Sequence, residues 1–168
     1  MVLIGLGGNL PSSAGQPPQT FAAALAALGQ YGCRVVARSP LYRTAPVPVS
    51  DQPWFVNAVA QLATDLGPEA LLAALLAVEA RFGRQRSVPN AARPLDLDLL
   101  AYDEICLDGP DLVLPHPRLH LRAFVLRPLV DLAPDWRHPR LGRTARELLV
   151  ALPPGETVEP MPLTPPSP

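Results

Sequence analysis

A run of leucines interrupted by two acids, Leu95-Asp96-Leu97-Asp98-Leu99-Leu100, constrains this chain more than any other feature. Read as a strand, it places Asp96 and Asp98 on one face and the leucines on the other, because side chains alternate across an extended backbone. The leucine face then needs an apolar layer against it. The two acids repel each other and need a compensating cation to stay ionised together. Mg²⁺ answers that need, since it takes one or two carboxylates and completes its shell with water and phosphate oxygens. Arg93, just ahead of the run, adds a group suited to phosphate. Taken alone, the pattern also fits an edge strand with two solvated aspartates.

A chain of 168 residues, 48% of them hydrophobic, is long enough for one domain with a real core. Its net charge of −1 gives no reason to expect nucleic acid or an acidic membrane surface as partner. All 14 basic residues are arginine. The absence of lysine excludes a Walker-type P-loop and lysine Schiff-base chemistry. A GC-rich genome explains the arginine bias, so the arginine count by itself says nothing of function. Cys33 and Cys106 are scattered, as expected of reduced, inert thiols in a cytoplasmic protein. No basic segment precedes an apolar one at the start, and the stretch 70–78 is too short to span a bilayer. The expectation is a soluble cytoplasmic protein.

The periodicities predict a buried strand over 2–7, a helix over 18–28 and extended chain over 34–42. The stiff segment Thr44-Ala45-Pro46-Val47-Pro48 must be irregular. Over 55–63, Phe55, Asn57, Val59 and Gln61 alternate with Val56, Ala58, Ala60 and Leu62, and the second, apolar face should meet the core. The helix over 68–82 has proline and an acid in its first turn and Gly83 after its end. A polar loop over 84–92, the acidic strand over 95–102, short segments near Ile105 and Leu112, and helices over 124–132 and 144–152 follow. The proline-rich stretch 153–168 has almost no core-forming residues and is expected to be a disordered tail after a domain over 1–152. Strands and helices mix without strict alternation. That suits an α+β sandwich, a mostly antiparallel sheet with helices on its faces.

Several polar residues punctuate the loops. Arg84 and Arg86 follow a helix end, His116 lies between prolines, and Arg122 comes shortly after. A guanidinium holds two phosphate oxygens at once, and a loop carrying two of them could close over a polyphosphate. Each of these arginines could equally be a solvated surface charge, and His116 a structural histidine. Phe55 and Asn57 share a face, where a ring could stack on a flat heterocycle and an amide pair with its edge. An ordinary core phenylalanine and strand-edge asparagine fit as well.

Taken in order, the chain resembles the 6-hydroxymethyl-7,8-dihydropterin pyrophosphokinase family over about residues 3–136. The likeness rests on Gly7-Gly8-Asn9-Leu10, on Ser39-Pro40-Leu41-Tyr42-Arg43-Thr44-Ala45-Pro46, and on Asp51-Gln52-Pro53 with Phe55 and Asn57. It continues through Glu79, Gly83-Arg84, Arg93 with Leu95-Asp96-Leu97-Asp98, Pro115-His116-Pro117-Arg118 and Arg122-Ala123-Phe124-Val125-Leu126. The resemblance implies a ferredoxin-like fold and transfer of pyrophosphate from ATP to the pterin hydroxymethyl group, with release of AMP, in folate biosynthesis. It implies two Mg²⁺ ions on Asp96 and Asp98, catalytic roles for these acids and for Arg84 and Arg93, and ATP contacts at Glu79, Arg86, Arg93, Leu99, His116 and Arg122. It implies a pterin pocket of Gly7, Thr44, Ala45, Pro46, Val47, Phe55, Asn57 and Phe124, and a monomer.

The chain departs from the family pattern in four places. Gly8 stands where serine is usual, Pro94 where threonine is common, and Pro117 where some relatives have tyrosine, and the loop 85–92 lacks an aromatic. Two rival functions stay open on the residues: another Mg²⁺-dependent phosphoryl or nucleotidyl transferase, and a non-enzymatic binding domain on the same scaffold.

Overall fold

Strand β1, Val2–Gly8, sends alternate side chains into two separate cores. Val2, Ile4 and Leu6 join one apolar cluster and Leu3 the other, so the strand must lie in the middle of a sheet covered on both sides. The computed structural model describes residues 1–84 and 91–162 and shows that arrangement. After β1 come helix α1 (Pro17–Leu28), β2 (Cys33–Arg38), β3 (Tyr42–Thr44), β4 (Phe55–Thr64) and helix α2 (Pro68–Arg81). The acidic strand β5 (Asp96–Tyr102) follows, then a small hairpin of β6 (Leu107–Asp108) and β7 (Val113–Leu114). Helices α3 (Ala123–Leu132) and α4 (Ala145–Val150) and a last strand β8 (Val158–Pro160) complete the described chain.

The main sheet runs β5-β1-β4-β3-β8, with β2 also pairing β4, and every pairing is antiparallel. β1 lies inside the sheet and β5 at its edge, within a β-α-β-β-α-β order that is the ferredoxin-like arrangement expected from the sequence. One core packs Phe21, Ala24 and Leu28 of α1 and Leu71, Leu75 and Val78 of α2 on Val56, Ala58, Ala60 and Leu62 of β4. The apolar face of β4 therefore meets the core as its alternation demands. The second core joins Leu3 and Val59 to Val125, Leu126 and Leu129 of α3 and Ala145 and Leu148 of α4.

Three expectations are corrected. The extended segment over 34–42 breaks after Arg38 into two strands, because Ser39 turns its hydroxyl inward to accept from the Val59 amide at 3.0 Å. In β5, Leu97 and Leu99 face the α1–α2 core, but Leu100 lies on the aspartate side with Leu3 and Ala101. Alternation itself puts Leu100 there, two residues on from Asp98, and the bulge then brings Ala101 to the same side: Leu3 pairs Ala101 while its neighbour Ile4 pairs Leu99. The third correction concerns the proline-rich end. Instead of trailing without structure from residue 153, it lays β8 along β3, with Thr44 opposite Val158 and Arg43 opposite Glu159, while 163–168 lie outside the described residues. Backbone bonds from Ala45 to Thr157 at 3.3 Å and from Met161 to Leu41 at 3.0 Å extend the pairing at both ends. An otherwise open edge at β3 supplied the donors and acceptors that the tail's sequence does not advertise.

Candidate functional site

On the α3 side of the sheet, a cavity of about 240 Å³ opens where β1, β3, β4 and β5 meet the start of α3. Glycine makes room for it in β1. A Cβ at Gly7 would sit 2.9 Å from the Asn57 Oδ1, and one at Gly5 would touch Leu100. Thr44, Ala45, Val47, Phe55, Asn57 and Phe124 form one wall, and Arg93, Asp96, Asp98, Arg118 and Arg122 the other. Asn57 is buried, and its Nδ2 donates to the Thr44 hydroxyl at 2.7 Å, which fixes the amide plane. The Arg93 guanidinium lies 5.3 Å from the Phe55 ring centre and Arg122 5.3 Å from that of Phe124. The aromatic half and the cationic half of the cavity are thus joined through two cation–π contacts.

The acids behave as the strand geometry requires. Asp96 is flanked by the Arg84 and Arg93 guanidiniums, each at 3.8 Å. Asp98 lies deeper. Burial first, and the Asp96 charge second, push its carboxyl up to about 7, against the pull of Arg122 and Arg93. A half-buried carboxylate pair opening into a cavity is a fitting donor set for a hard divalent ion that also takes phosphate oxygens. The Nε atoms of Arg84 and Arg93 are buried with no acceptor among the described residues. Unpartnered buried donors beside two acids suit the oxygens of an incoming anion.

The Gly8-Asn9 turn holds Arg93 in place. The Arg93 carbonyl accepts from the Asn9 amide at 2.9 Å and the Leu10 amide at 3.1 Å, and its own N–H donates to Asn9 Oδ1 at 2.8 Å. Asn9 Nδ2 donates in turn to Gln52 Oε1 and the Pro53 carbonyl, both at 2.9 Å. A Cβ at Gly8 would lie 2.5 Å from the Pro94 carbonyl oxygen. Position 8 therefore has no room for a side chain where the two backbones touch.

The remaining expected residues fall in different places. His116 lies beside the cavity, its Nδ1 accepting from the Arg118 amide at 3.1 Å. Burial, then Arg122 and Arg118, pull its pKa down to about 4, so at neutral pH the ring is uncharged and carries its proton on Nε2. Burial also lowers Arg122 from the usual arginine range. Pro46 is buried beside the wall without lining it. Leu99 does not reach the cavity: its side chain packs in the α1–α2 core, on the face opposite Asp98, by the same alternation that unites the acids. Glu79, 1% exposed, lies under β5, where its Oε2 accepts from the Leu97 amide at 2.7 Å. Arg86 lies outside the described residues. Arg118, which sequence reasoning gave no role, lines the cavity, and so does Val125. Asn9, named only within a motif, holds the turn beneath Arg93. Its position in a glycine turn two residues past a strand was the available signal.

A family model described as 7,8-dihydro-6-hydroxymethylpterin-pyrophosphokinase matches residues 3–134. The 2-amino-4-hydroxy-6-hydroxymethyldihydropteridine pyrophosphokinase of Pseudomonas aeruginosa is 48% identical over 153 residues, 90% of this chain and 91% of that one. The protein of the same name from Methylorubrum extorquens is 42% identical over 152 residues, 90% of this chain and 92% of that one. Among solved structures, Plasmodium falciparum HPPK-DHPS with pteroate matches with a TM-score of 0.72 at 13% identity. That match covers 89% of this chain but only 43% of the longer one, and at such identity it speaks for the fold.

Proposed function

This chain belongs to the 7,8-dihydro-6-hydroxymethylpterin-pyrophosphokinase family, and from that premise we propose how its cavity transfers pyrophosphate from ATP to 6-hydroxymethyl-7,8-dihydropterin, giving the pterin diphosphate and AMP. One observation carries the reading: a half-buried acid pair flanked by arginines opens into the same cavity as a fixed amide and two phenylalanines. The pterin ring lies in the half formed by Phe55, Phe124 and Val47. Asn57 and Thr44 meet its donor and acceptor edge, a task that needs a rigid amide, and the Asn57–Thr44 bond supplies the rigidity. The hydroxymethyl group then points toward Asp96 and Asp98.

Asp96 and Asp98 would hold Mg²⁺ that arrives with the triphosphate, and the metal would supply charge neutralisation and polarisation of the phosphoryl oxygens. Arg93 and Arg84 keep donors on the face of Asp96 where negative charge grows as the bond to the AMP leaving group breaks. Arg122 and Arg118 extend the positive wall. His116, neutral with Nε2 protonated, donates a hydrogen bond to a phosphate oxygen without adding charge. The chain's work is positioning and charge stabilisation, and no side chain need act as general base. Incubation with ATP, Mg²⁺ and the reduced pterin alcohol, followed by product identification, tests this. AMP with pterin diphosphate is expected. ADP, or free pyrophosphate with an adenylated product, would instead mark a different phosphoryl transferase.

A further inference from the structure

The C-terminal segment 156–161 contacts two elements that carry the pterin half of the cavity, β3 and the start of α3, and it lies beyond the region matched by the family model. Helix α3 begins at Ala123 with Arg122 as its cap residue, and no local side chain caps it. The cap comes instead from far along the chain: Glu156 Oε2 accepts from the Ala123 amide at 3.0 Å. A carboxylate at a helix N-terminus satisfies an orphan N–H and complements the dipole. The first turn of α3 carries Phe124 and Val125, both of which line the cavity. One residue later, the Thr157 carbonyl accepts from the Ala45 amide at 3.3 Å, and β8 then pairs along β3, with Val158 opposite Thr44. Thr44 and Ala45 belong to the same wall as Phe124, and Thr44 fixes Asn57. At the far end the Met161 amide donates to the Leu41 carbonyl at 3.0 Å.

We propose that segment 156–161 is a positioning strap for the pterin site, with Glu156 setting the start of α3 and β8 holding β3 so that Phe124, Thr44 and Asn57 are preorganised for the flat ring. Neither Glu156 nor β8 reaches the acid pair, so the strap acts on pterin affinity and not on the chemistry of the phosphates. The inference rests on the pterin-binding reading above.

The test uses full-length variants and calorimetric titration with 6-hydroxymethyl-7,8-dihydropterin and, separately, with Mg²⁺ and a non-hydrolysable ATP analogue. Glu156→Ala removes the cap and should raise the pterin Kd by about three- to fivefold, as loss of a helix cap predicts. Glu156→Gln keeps an acceptor and should restore most of that loss. Met161→Pro removes the Leu41 bond and loosens β3, so it should raise the pterin Kd and KM while leaving nucleotide Kd and kcat near wild type. Unchanged pterin affinity in both Glu156→Ala and Met161→Pro would overturn the proposal. So would a Met161→Pro variant that loses nucleotide and pterin affinity in parallel, since that marks general destabilisation. Wild-type protein that binds nucleotide but no pterin would remove the functional reading, and the strap with it.

Discussion

Replacing Asp98 by asparagine should make the metal-free protein more stable while abolishing turnover. Burial and the neighbouring Asp96 raise the Asp98 carboxyl from 3.8 to about 7 in the folded chain. Its folded pKa exceeds its unfolded one, so its ionisation opposes folding. Below pH 3.8 both states are protonated and nothing is lost. As pH rises from there to 7 the unfolded state ionises first, and the folded protein loses stability over that window. A thousandfold change in proton affinity is worth roughly 4 kcal/mol at about 1.4 kcal/mol per tenfold. Asparagine removes the charge but leaves a buried amide to satisfy, so about half of that should be recovered, roughly 2 kcal/mol. For a chain of this size that is a rise in Tm of about 4–8 °C. Thermal melts in chelator at pH 8 and pH 4 measure it. The variant should melt higher than wild type at pH 8 and lower at pH 4, where the wild-type acid is still largely neutral and the cost of the amide is not offset. Addition of Mg²⁺ with an ATP analogue should raise the wild-type Tm and not that of the variant. A variant equal to or less stable than wild type at pH 8, or one stabilised identically at both pH values, would refute the electrostatic reasoning.

Other outcomes follow from the same geometry. Arg84→Ala should lower kcat by about 10²–10³-fold with pterin Kd within about twofold, as for a group that meets charge only in the transition state; steady-state kinetics and titration together check this. Glu79→Ala should strand the buried Leu97 amide and cost about 1–3 kcal/mol in denaturant unfolding. His116 has its folded pKa below the unfolded value, so it contributes stability above pH 6.5 that is lost as pH falls toward 4. Nucleotide affinity should accordingly show no histidine titration between pH 8 and 5.5, and a His116→Asn variant should flatten the acid limb of the stability profile.

What could be read from the chain depended on whether a residue's partner was near in sequence. The helices and β4 were legible because their periodicity declares a buried face, and the union of Asp96 with Asp98 needs only strand alternation. The same rule should have turned Leu99 away from the nucleotide, since it lies between positions of opposite orientation. Leu100 was legible by that rule too, since it lies two residues past Asp98, but Ala101 beside it was not, because a bulge is set by register against β1, which no local pattern encodes. Strand β8 was hidden for a related reason. Its value lies in an open edge more than a hundred residues earlier, and a proline-rich composition gives no hint of it. Glu79 looks like an exposed helical acid in sequence, and only the edge of β5 beside it explains its burial. Arg118 was masked by a chain in which every basic residue is arginine.

The account turns on the acid pair as a metal grip between two substrates. Titration of Mn²⁺, followed by electron paramagnetic resonance in the presence of a non-hydrolysable ATP analogue and the pterin alcohol, measures that directly. Wild-type protein should take up two ions per chain, and Asp96→Ala or Asp98→Ala should lose tight uptake while remaining folded. Equal uptake by wild type and both variants would place the metal on the nucleotide alone and contradict the mechanism.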